Sequence, residues 1–195
     1  MKALYVFTRP YALIGTGMAV VSHSLLAVQS FQDISMPFLV GLVQVWIVFA
    51  LVQIFASGIN QIYDVEIDKI NKPHLPVASG AISKQFAATI VTAAAILSLG
   101  LPIMLRSVPL VSGGVICFLL GCAYSMELPF MRWKSNQTLT TMVIGLGRGL
   151  LFPFITFFHF QSSVLGRPIV LTKSLLFSTC VCSLIATVIS LAKVI

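Results

Sequence analysis

The chain alternates between long apolar runs and short polar connections. Six runs, each close to 20 residues, cover positions 11–31, 36–59, 85–105, 108–126, 138–160 and 169–192. About 20 consecutive apolar residues is the length that an α-helix needs to cross the roughly 30 Å hydrocarbon core of a bilayer. The sequence lacks the two-residue alternation that is typical of membrane β-barrel strands. The pattern predicts an all-α, polytopic transmembrane helical bundle of about six spans, in a single domain over 1–195.

Composition excludes a water-soluble globular class. Of the 195 residues, 58% are hydrophobic and 9% are charged, whereas an average soluble domain is about 25% charged. The net charge of +7 does not indicate nucleic-acid binding, because no basic run exceeds two residues. The four cysteines lie inside the apolar runs, where free cysteine packs as a small hydrophobe. The expected surroundings are therefore a lipid bilayer, and no nucleic-acid partner is expected.

The basic residues are unevenly divided between the two membrane faces. Six spans place the N-terminus, the 60–84 loop, the 127–137 loop and the C-terminus on one face. An excess of Lys and Arg marks the face that is not translocated, so this face is predicted to lie toward cytosol, stroma or matrix. It holds eight of the twelve cations: Lys2, Arg9, Lys69, Lys72, Lys84, Arg132, Lys134 and Lys193.

Three of the five acidic residues lie within five positions, where the second apolar run ends. If the helix continues past the membrane edge, Asn60, Asp64 and Asp68 share one face, because residues four apart are neighbours on a helix. Gln61 lies beside this stripe, and Glu66 points roughly to the other side. Two carboxylates and an amide oxygen are hard ligands that suit Mg²⁺. The alternative is a set of surface ion pairs with the lysines that follow.

The same residues carry a family resemblance. The pattern N-Q-x-x-D-x-x-x-D at 60–68 resembles the first aspartate-rich motif of the UbiA superfamily of intramembrane prenyltransferases. The continuation DKINKPHLPVASG is similar to the plant branch, which contains homogentisate phytyltransferases and flavonoid or coumarin prenyltransferases. The segments TRPYALIGT, AYSMELPFMRWK and GRPIVLTKSLLF are similar to that branch as well. The resemblance extends over the whole chain.

The resemblance implies an enzyme of a plastid membrane that transfers a prenyl group from an allylic diphosphate to an aromatic acceptor, with Mg²⁺ as cofactor. The acceptor is of the homogentisate, flavonoid or coumarin type. The implied catalytic residues and metal ligands are Asn60, Asp64 and Asp68. The implied diphosphate contacts are Lys72, Lys134, Arg9, Arg132 and, in support, Gln61. For the four cations, the competing interpretation is ordinary anchorage at the membrane edge.

The family also has nine helices and a second aspartate motif, which opens near a Lys-Asp pair after the sixth span. Here Lys193 stands where that motif should open, and no Asp or Glu follows Glu127. The chain is therefore expected to be the N-terminal portion of a longer domain. The alternative function is a catalytically inactive membrane protein that binds prenyl diphosphate or associates with a full-length relative.

Arg148 is the remaining charge of interest, because it stands in the middle of the fifth apolar run, in GLGRGLL. A charge at bilayer depth is costly and marks a functional hypothesis by default. The sequence predicts either a functional role or a position that lines the bundle.

Overall fold

The computed structural model describes residues 2–192, and those residues form α-helices joined by loops, with no β-strand among them. Five helices are long and apolar enough to cross a membrane, and a sixth span is reached if the bent pair α1 and α2 counts as one. The helices are α1 Lys2–Thr8, α2 Pro10–Leu25, α3 Met36–Tyr63, α4 Val65–Asn71, α5 Lys84–Met104, α6 Val108–Ser125, α7 Gln137–Val164 and α8 Lys173–Ala192. The predicted all-α membrane bundle is confirmed.

The first span differs from the prediction of 11–31, because α2 ends at Leu25 and a separate helix precedes it. Pro10 lacks an amide proton, and Arg9 adopts φ 51°, so the chain bends by 41° between α1 and α2. Between Leu25 and α3 the chain forms turns and a short 3-10 helix, Phe31–Asp33. The Asp33 carboxylate accepts hydrogen bonds from the amides of Gln29 and Ser30, at 2.7 and 3.1 Å.

The other spans follow the prediction with shifted ends. The second continues to Tyr63, and the sixth begins at Lys173. The fifth runs to Val164 and contains two π-helical segments, Gly145–Leu151 and Phe160–Val164. Pro153 lies two residues beyond the end of the first segment. A π-bulge is one way in which a helix accommodates a residue that cannot donate its backbone hydrogen bond.

Helix α3 lies at the centre and packs against α2, α5 and α6. Two apolar cores surround it, one toward each end of the bundle. The core at the acidic end includes Phe7, Phe55 and Ala87, together with Val77 and Ile82 from the 72–83 loop. Because these two loop residues are buried, the long polar loop is folded over the end of the bundle.

Two cross-loop ion pairs confirm that alternate loops share a face. Lys134 Nζ lies 2.6 Å from Asp64 Oδ1, which joins the 126–136 loop to the end of α3. Arg167 Nη2 lies 2.6 Å from Asp33 Oδ1, which joins the two loops at the opposite end. The predicted division of the loops between two faces is therefore present in the fold.

Candidate functional site

The predicted polar residues lie about one helical turn apart, and Lys72 extends the stripe by a further turn. Asp64 separates α3 from α4, yet the i to i+4 hydrogen bonds continue through it. The Asp64 amide donates to the Asn60 carbonyl at 3.0 Å, and the Asp68 amide donates to the Asp64 carbonyl at 2.7 Å. The Lys72 amide then donates to the Asp68 carbonyl at 2.8 Å. Asn60, Asp64, Asp68 and Lys72 therefore share one face of an almost continuous helix.

Lys134 reaches this stripe from a loop that lies 70 residues further along the chain. Its Nζ donates to Asn60 Oδ1 at 3.0 Å and to Asp64 Oδ1 at 2.6 Å. The side chains of Lys134 and Asp64 are 12% and 13% exposed, so solvent screens this pair weakly. The amide oxygen and the carboxylate thus converge on the ammonium of Lys134.

The loop that carries Lys134 is held by contacts of its own. Arg132 adopts a left-handed φ of 61°, forms an ion pair with Glu127, and has Nη2 3.9 Å from Asp64 Oδ1. The Trp133 indole donates to the Phe130 carbonyl at 2.8 Å. Sequence reasoning did not give Glu127 a role. Glu127 lies five residues before Arg132, and a proline-containing turn separates the two. This spacing was the sequence signal that could have indicated their ion pair.

The two remaining acidic residues of the cluster face different surroundings. Asp68 is buried, and Lys72 Nζ lies 3.6 Å from its Oδ1. Glu66 pairs with Lys69 at 2.8 Å, with side chains that are 81% and 51% exposed. Glu66 therefore points away from the stripe, as the helical spacing predicts, and its ion pair is of the ordinary surface kind.

Gln61 is buried beside the stripe, and its hydrogen bonding is incomplete. Its Nε2 donates to the Ser57 carbonyl at 3.5 Å, and its Oε1 has no partner within the described part of the chain. A buried oxygen without a donor costs free energy. This unpaired acceptor, adjacent in sequence to Asn60, adds a further oxygen to the same end of the bundle.

Arg9 and Lys72 are brought together in a separate place, a cavity of about 660 Å³ at the bend between α1 and α2. Lys72 thus contacts Asp68 and also lines this cavity. The structure therefore divides the four predicted diphosphate-binding cations into two pairs. Lys134 and Arg132 approach Asp64, while Arg9 and Lys72 line the cavity. Its lining residues are Tyr5, Val6, Arg9, Pro10, Tyr11, Lys72, His74 and Leu75.

The stripe fits a hard divalent cation by its donor chemistry. Residues 2–192 contain no cluster of three or more His, Cys, Asp or Glu side chains close enough to hold a metal. The oxygens that could bind a metal here come instead from one amide and two carboxylates. Asn60 Oδ1 and Asp64 Oδ1 converge on the Lys134 ammonium, and Asp68 lies one helical turn after Asp64. Mg²⁺ typically takes one or two carboxylates and leaves other positions for water and substrate phosphate.

The family model that describes the UbiA prenyltransferase family matches residues 12–194. The chain belongs to this family. The match covers the stripe, Lys134 and all six predicted spans, so the resemblance that the aspartate motif indicated is confirmed. Lys193, where a second motif was predicted to open, lies outside the described residues.

Curated plant relatives are similar over almost the whole chain. Coumarin 8-geranyltransferase 1 of Citrus limon is 43% identical over 99% of this chain and 47% of its own length. Homogentisate phytyltransferase 1 of Arabidopsis thaliana is 38% identical over 99% of this chain and 49% of its own length. The chain spans about half the length of these relatives.

A solved structure supports the fold. It comes from work on digeranylgeranylglyceryl phosphate synthase in membranes, and it matches with a TM-score of 0.68 at 22% identity. The match covers 96% of this chain and 61% of the solved one. At this identity the similarity shows the shared arrangement of helices.

Arg148 is placed in the first π-helical segment of α7, with an exposed side chain. The neighbouring Gly149 lies against α8, where an added Cβ would come within 2.5 Å of the Ser183 Cα. This segment of α7 therefore packs closely against α8 at Gly149. Whether Arg148 has a functional role stays a prediction.

Proposed function

We propose that this protein takes part in Mg²⁺-dependent transfer of a prenyl group from an allylic diphosphate to an aromatic acceptor within a plastid membrane. The observation that carries the proposal is the convergence of Lys134 on Asn60 and Asp64 in a member of the UbiA prenyltransferase family. Several similar relatives are named as chloroplastic aromatic prenyltransferases, which supports the compartment and the acceptor class.

In the proposed reaction, the bond between the prenyl carbon and the diphosphate oxygen breaks, and a bond from that carbon to an aromatic ring carbon forms. The C–H bond at that ring carbon then breaks, and its proton is released, so that the products are the prenylated ring, diphosphate and a proton. When bound, Mg²⁺ would act as a Lewis acid on the departing diphosphate. Asn60, Asp64 and Asp68 would hold the metal. Three consecutive backbone hydrogen bonds hold the backbone of the stripe in a helix, which keeps these residues on one face.

The cations beside the stripe would bind the remaining diphosphate charge. Lys134 is the best placed, because its ammonium already lies against the metal-binding oxygens and needs a short movement to contact a phosphate oxygen. Arg132 and Lys72 lie 3.9 and 3.6 Å from the carboxylates of the stripe. Positive groups aimed at developing phosphate charge stabilise the transition state. The apolar bundle would exclude water from the reactive prenyl group.

The test is prenyl transfer in microsomes that contain the expressed chain, with dimethylallyl, geranyl and phytyl diphosphates, Mg²⁺ and a pool of aromatic acceptors. Asp64→Ala should abolish product, because it removes the carboxylate that faces Lys134. Glu66→Gln is the matched control and should leave activity near that of the wild type, since Glu66 points away from the stripe.

Two other results would redirect the proposal. Product that persists in Asp64→Ala would refute the role of the stripe. If Mg²⁺-dependent diphosphate binding requires Asp64 but no acceptor is prenylated, the protein is the diphosphate-binding membrane protein of the alternative hypothesis. Binding is measured on the same membranes with radiolabelled donor.

A further inference from the structure

A groove lies between α2 and α8 at the end of the bundle opposite the carboxylate stripe. It has a volume of about 540 Å³ and is lined by Leu26, which directly follows α2, and by six residues of α8. The six are Lys173, Ser174, Phe177, Ser178, Val181 and Cys182. Because both helices belong to membrane spans, the surface that they expose here meets lipid.

The groove has the length of one bilayer leaflet. Lys173 lies at its outer end, where α8 begins, and Cys182 lies nine residues further along the helix. Nine residues of α-helix rise about 14 Å, and half of the hydrocarbon core is about 15 Å. At the inner end, His23 connects α2 to α8, with its Nε2 3.7 Å from Cys182 Sγ. A cation at the membrane edge above a groove of this length suits a headgroup with its acyl chain.

The side of the groove formed by α8 combines small and bulky side chains. Ser174, Ser178 and Cys182 are spaced four residues apart and therefore share one face of the helix. Phe177 and Val181, also four apart, lie beside them and are 73% and 37% exposed. The small side chains leave space for a hydrocarbon chain, and the bulky apolar ones supply the surface against which it packs.

The hydroxyl of Ser178 is available to a ligand. Ser22, Ser112 and Ser162 lie in other spans, and each donates to the carbonyl four residues earlier, at 2.9, 2.9 and 2.7 Å. Ser178 makes no side-chain hydrogen bond within residues 2–192, although it is half-buried in the groove. An ester oxygen of a lipid could accept a hydrogen bond from it below the headgroup.

Lys173 has no counter-ion from the chain. Asp33 is the one acidic residue at this end of the bundle, because the other four lie at the opposite end. Its carboxylate is already paired with Arg167 at 2.6 Å. Among residues 2–192, Lys173 forms no ion pair, and no acidic side chain lines the groove. Its counter-ion therefore comes from the surroundings, which at the membrane edge are lipid headgroups.

We infer that this groove binds an anionic membrane lipid. The headgroup lies at Lys173, an ester oxygen accepts from Ser178, and the acyl chain lies along Phe177 and Val181. The charge at the outer end selects for an acidic headgroup, and the length of the groove selects for a lipid over a soluble anion. The inference is independent of the proposed prenyl transfer, because the groove and the carboxylate stripe lie at opposite ends of the bundle.

The test is fluorescence quenching of a tryptophan in the groove by brominated lipid. Phe177→Trp places the probe there, and Leu176→Trp is the matched control, because Leu176 is the adjacent exposed residue and does not line the groove. The full chain is reconstituted in phosphatidylcholine vesicles that contain a minor fraction of brominated phosphatidylglycerol or brominated phosphatidylcholine. The protein without an added tryptophan supplies the background from Trp46 and Trp133.

We expect the Phe177→Trp probe to prefer brominated phosphatidylglycerol about fivefold more than the Leu176→Trp probe does, the factor for one cation near an anionic headgroup. Adding Lys173→Gln to the Phe177→Trp protein should remove this preference. Adding Arg106→Gln is the matched control, because Arg106 is an exposed cation at the same end and lies outside the groove. Equal preference by the two probes, or equal loss in the two charge variants, would overturn the inference.

Two other occupants are distinguished by the same probe. If glycerol phosphate, which carries the charge without an acyl chain, abolishes the preference, the ligand is a soluble anion and the inference is wrong. If neither brominated lipid quenches the Phe177→Trp probe, protein covers the groove, as in a contact with a second copy, and the inference is also wrong. Asp64→Asn should leave the preference unchanged, so failure of the proposed prenyl transfer would be seen separately.

The variants are suited to the test because each replaces a side chain at the surface. Phe177 is 73% exposed, and Lys173 is exposed where α8 begins. The helical content measured by circular dichroism should therefore match that of the wild type in every variant. A change in lipid preference without a change in helical content then reports on the groove.

Discussion

Replacement of Lys134 by Met should destabilise the protein and should do so through Asp64. The change removes the ammonium that joins the 126–136 loop to the end of α3 and leaves a chain of similar length. It breaks the 2.6 Å contact with Asp64 Oδ1 and the 3.0 Å contact with Asn60 Oδ1. Hydrogen bonds to charged groups contribute about 1.5–3 kcal/mol net.

The size of the effect follows from burial and from the second cation. The two side chains are 12% and 13% exposed, so the pair is stronger than the exposed pairs that contribute about 0–1 kcal/mol. It is weaker than a fully buried pair, whose disruption costs about 3–5 kcal/mol, because Arg132 Nη2 stays 3.9 Å from the same oxygen. We expect the free energy of unfolding to fall by about 2–3 kcal/mol.

The assay is a double-mutant cycle on thermal unfolding in mild detergent, without Mg²⁺. Asp64→Asn and Lys134→Met, alone and combined, should give a coupling energy of about 1.5–2.5 kcal/mol. The matched cycle, Glu66→Gln with Lys69→Met, tests an exposed pair and should give less than about 0.5 kcal/mol. Equal coupling in the two cycles would refute the reasoning, because it would mean that burial at the stripe does not strengthen the pair.

Three further outcomes are expected. Gly149→Ala should lower thermal stability by about 1–3 kcal/mol, since the added Cβ would lie 2.5 Å from a backbone atom of α8, whereas Gly147→Ala has open space and should be neutral. Ser107→Ala should lower the free energy of unfolding more in the wild-type background than in a His159→Phe background. The reason is that His159→Phe has already removed the buried 2.8 Å contact between Ser107 and His159. Hydrogen bonds lower the pKa of Asp33 to about 2, so its contribution to stability is present above about pH 4 and disappears toward pH 2; Asp33→Asn should remove that part of the pH profile in thermal unfolding.

The sequence predicted the spans because a helix that crosses a bilayer needs a run of about 20 apolar residues. It placed the stripe correctly because helical spacing alone puts Asn60, Asp64 and Asp68 on one face. The residues at which the helices begin and end were less well predicted. Helix α2 ends at Leu25 because the amides that follow leave the helical pattern. Those of Ala27 and Val28 donate to the Ser24 and Leu25 carbonyls, and those of Gln29 and Ser30 donate to the Asp33 carboxylate. An apolar run contains no signal of that competition.

The cation that pairs with Asp64 could be identified only from the tertiary structure. Lys134 and Arg132 were singled out by resemblance, as were Lys72 and Arg9, and nothing in the local sequence separates one pair from the other. The fold separates the two pairs, because the 126–136 loop brings Lys134 and Arg132 to Asp64, whereas Lys72, where the 72–83 loop begins, lines the cavity with Arg9. One loop is held by the Arg132 and Glu127 ion pair, and the other is anchored by buried Val77. Such contacts depend on side chains far apart in sequence, which spacing rules do not describe.

The two cross-loop ion pairs hold their carboxylates in different ways. Asp33 accepts four hydrogen bonds, two from backbone amides and two from the Arg167 guanidinium, with three of them at Oδ2 and one at Oδ1. Asp64 accepts from Lys134 through Oδ1 and, among residues 2–192, its carboxylate receives no backbone donor. Within residues 2–192, Asp64 is therefore held by side-chain cations, Lys134 at 2.6 Å and Arg132 at 3.9 Å. A carboxylate that accepts from backbone amides and a guanidinium holds two loops together, whereas the cations that oppose Asp64 can be replaced without loss of a backbone hydrogen bond to its carboxylate.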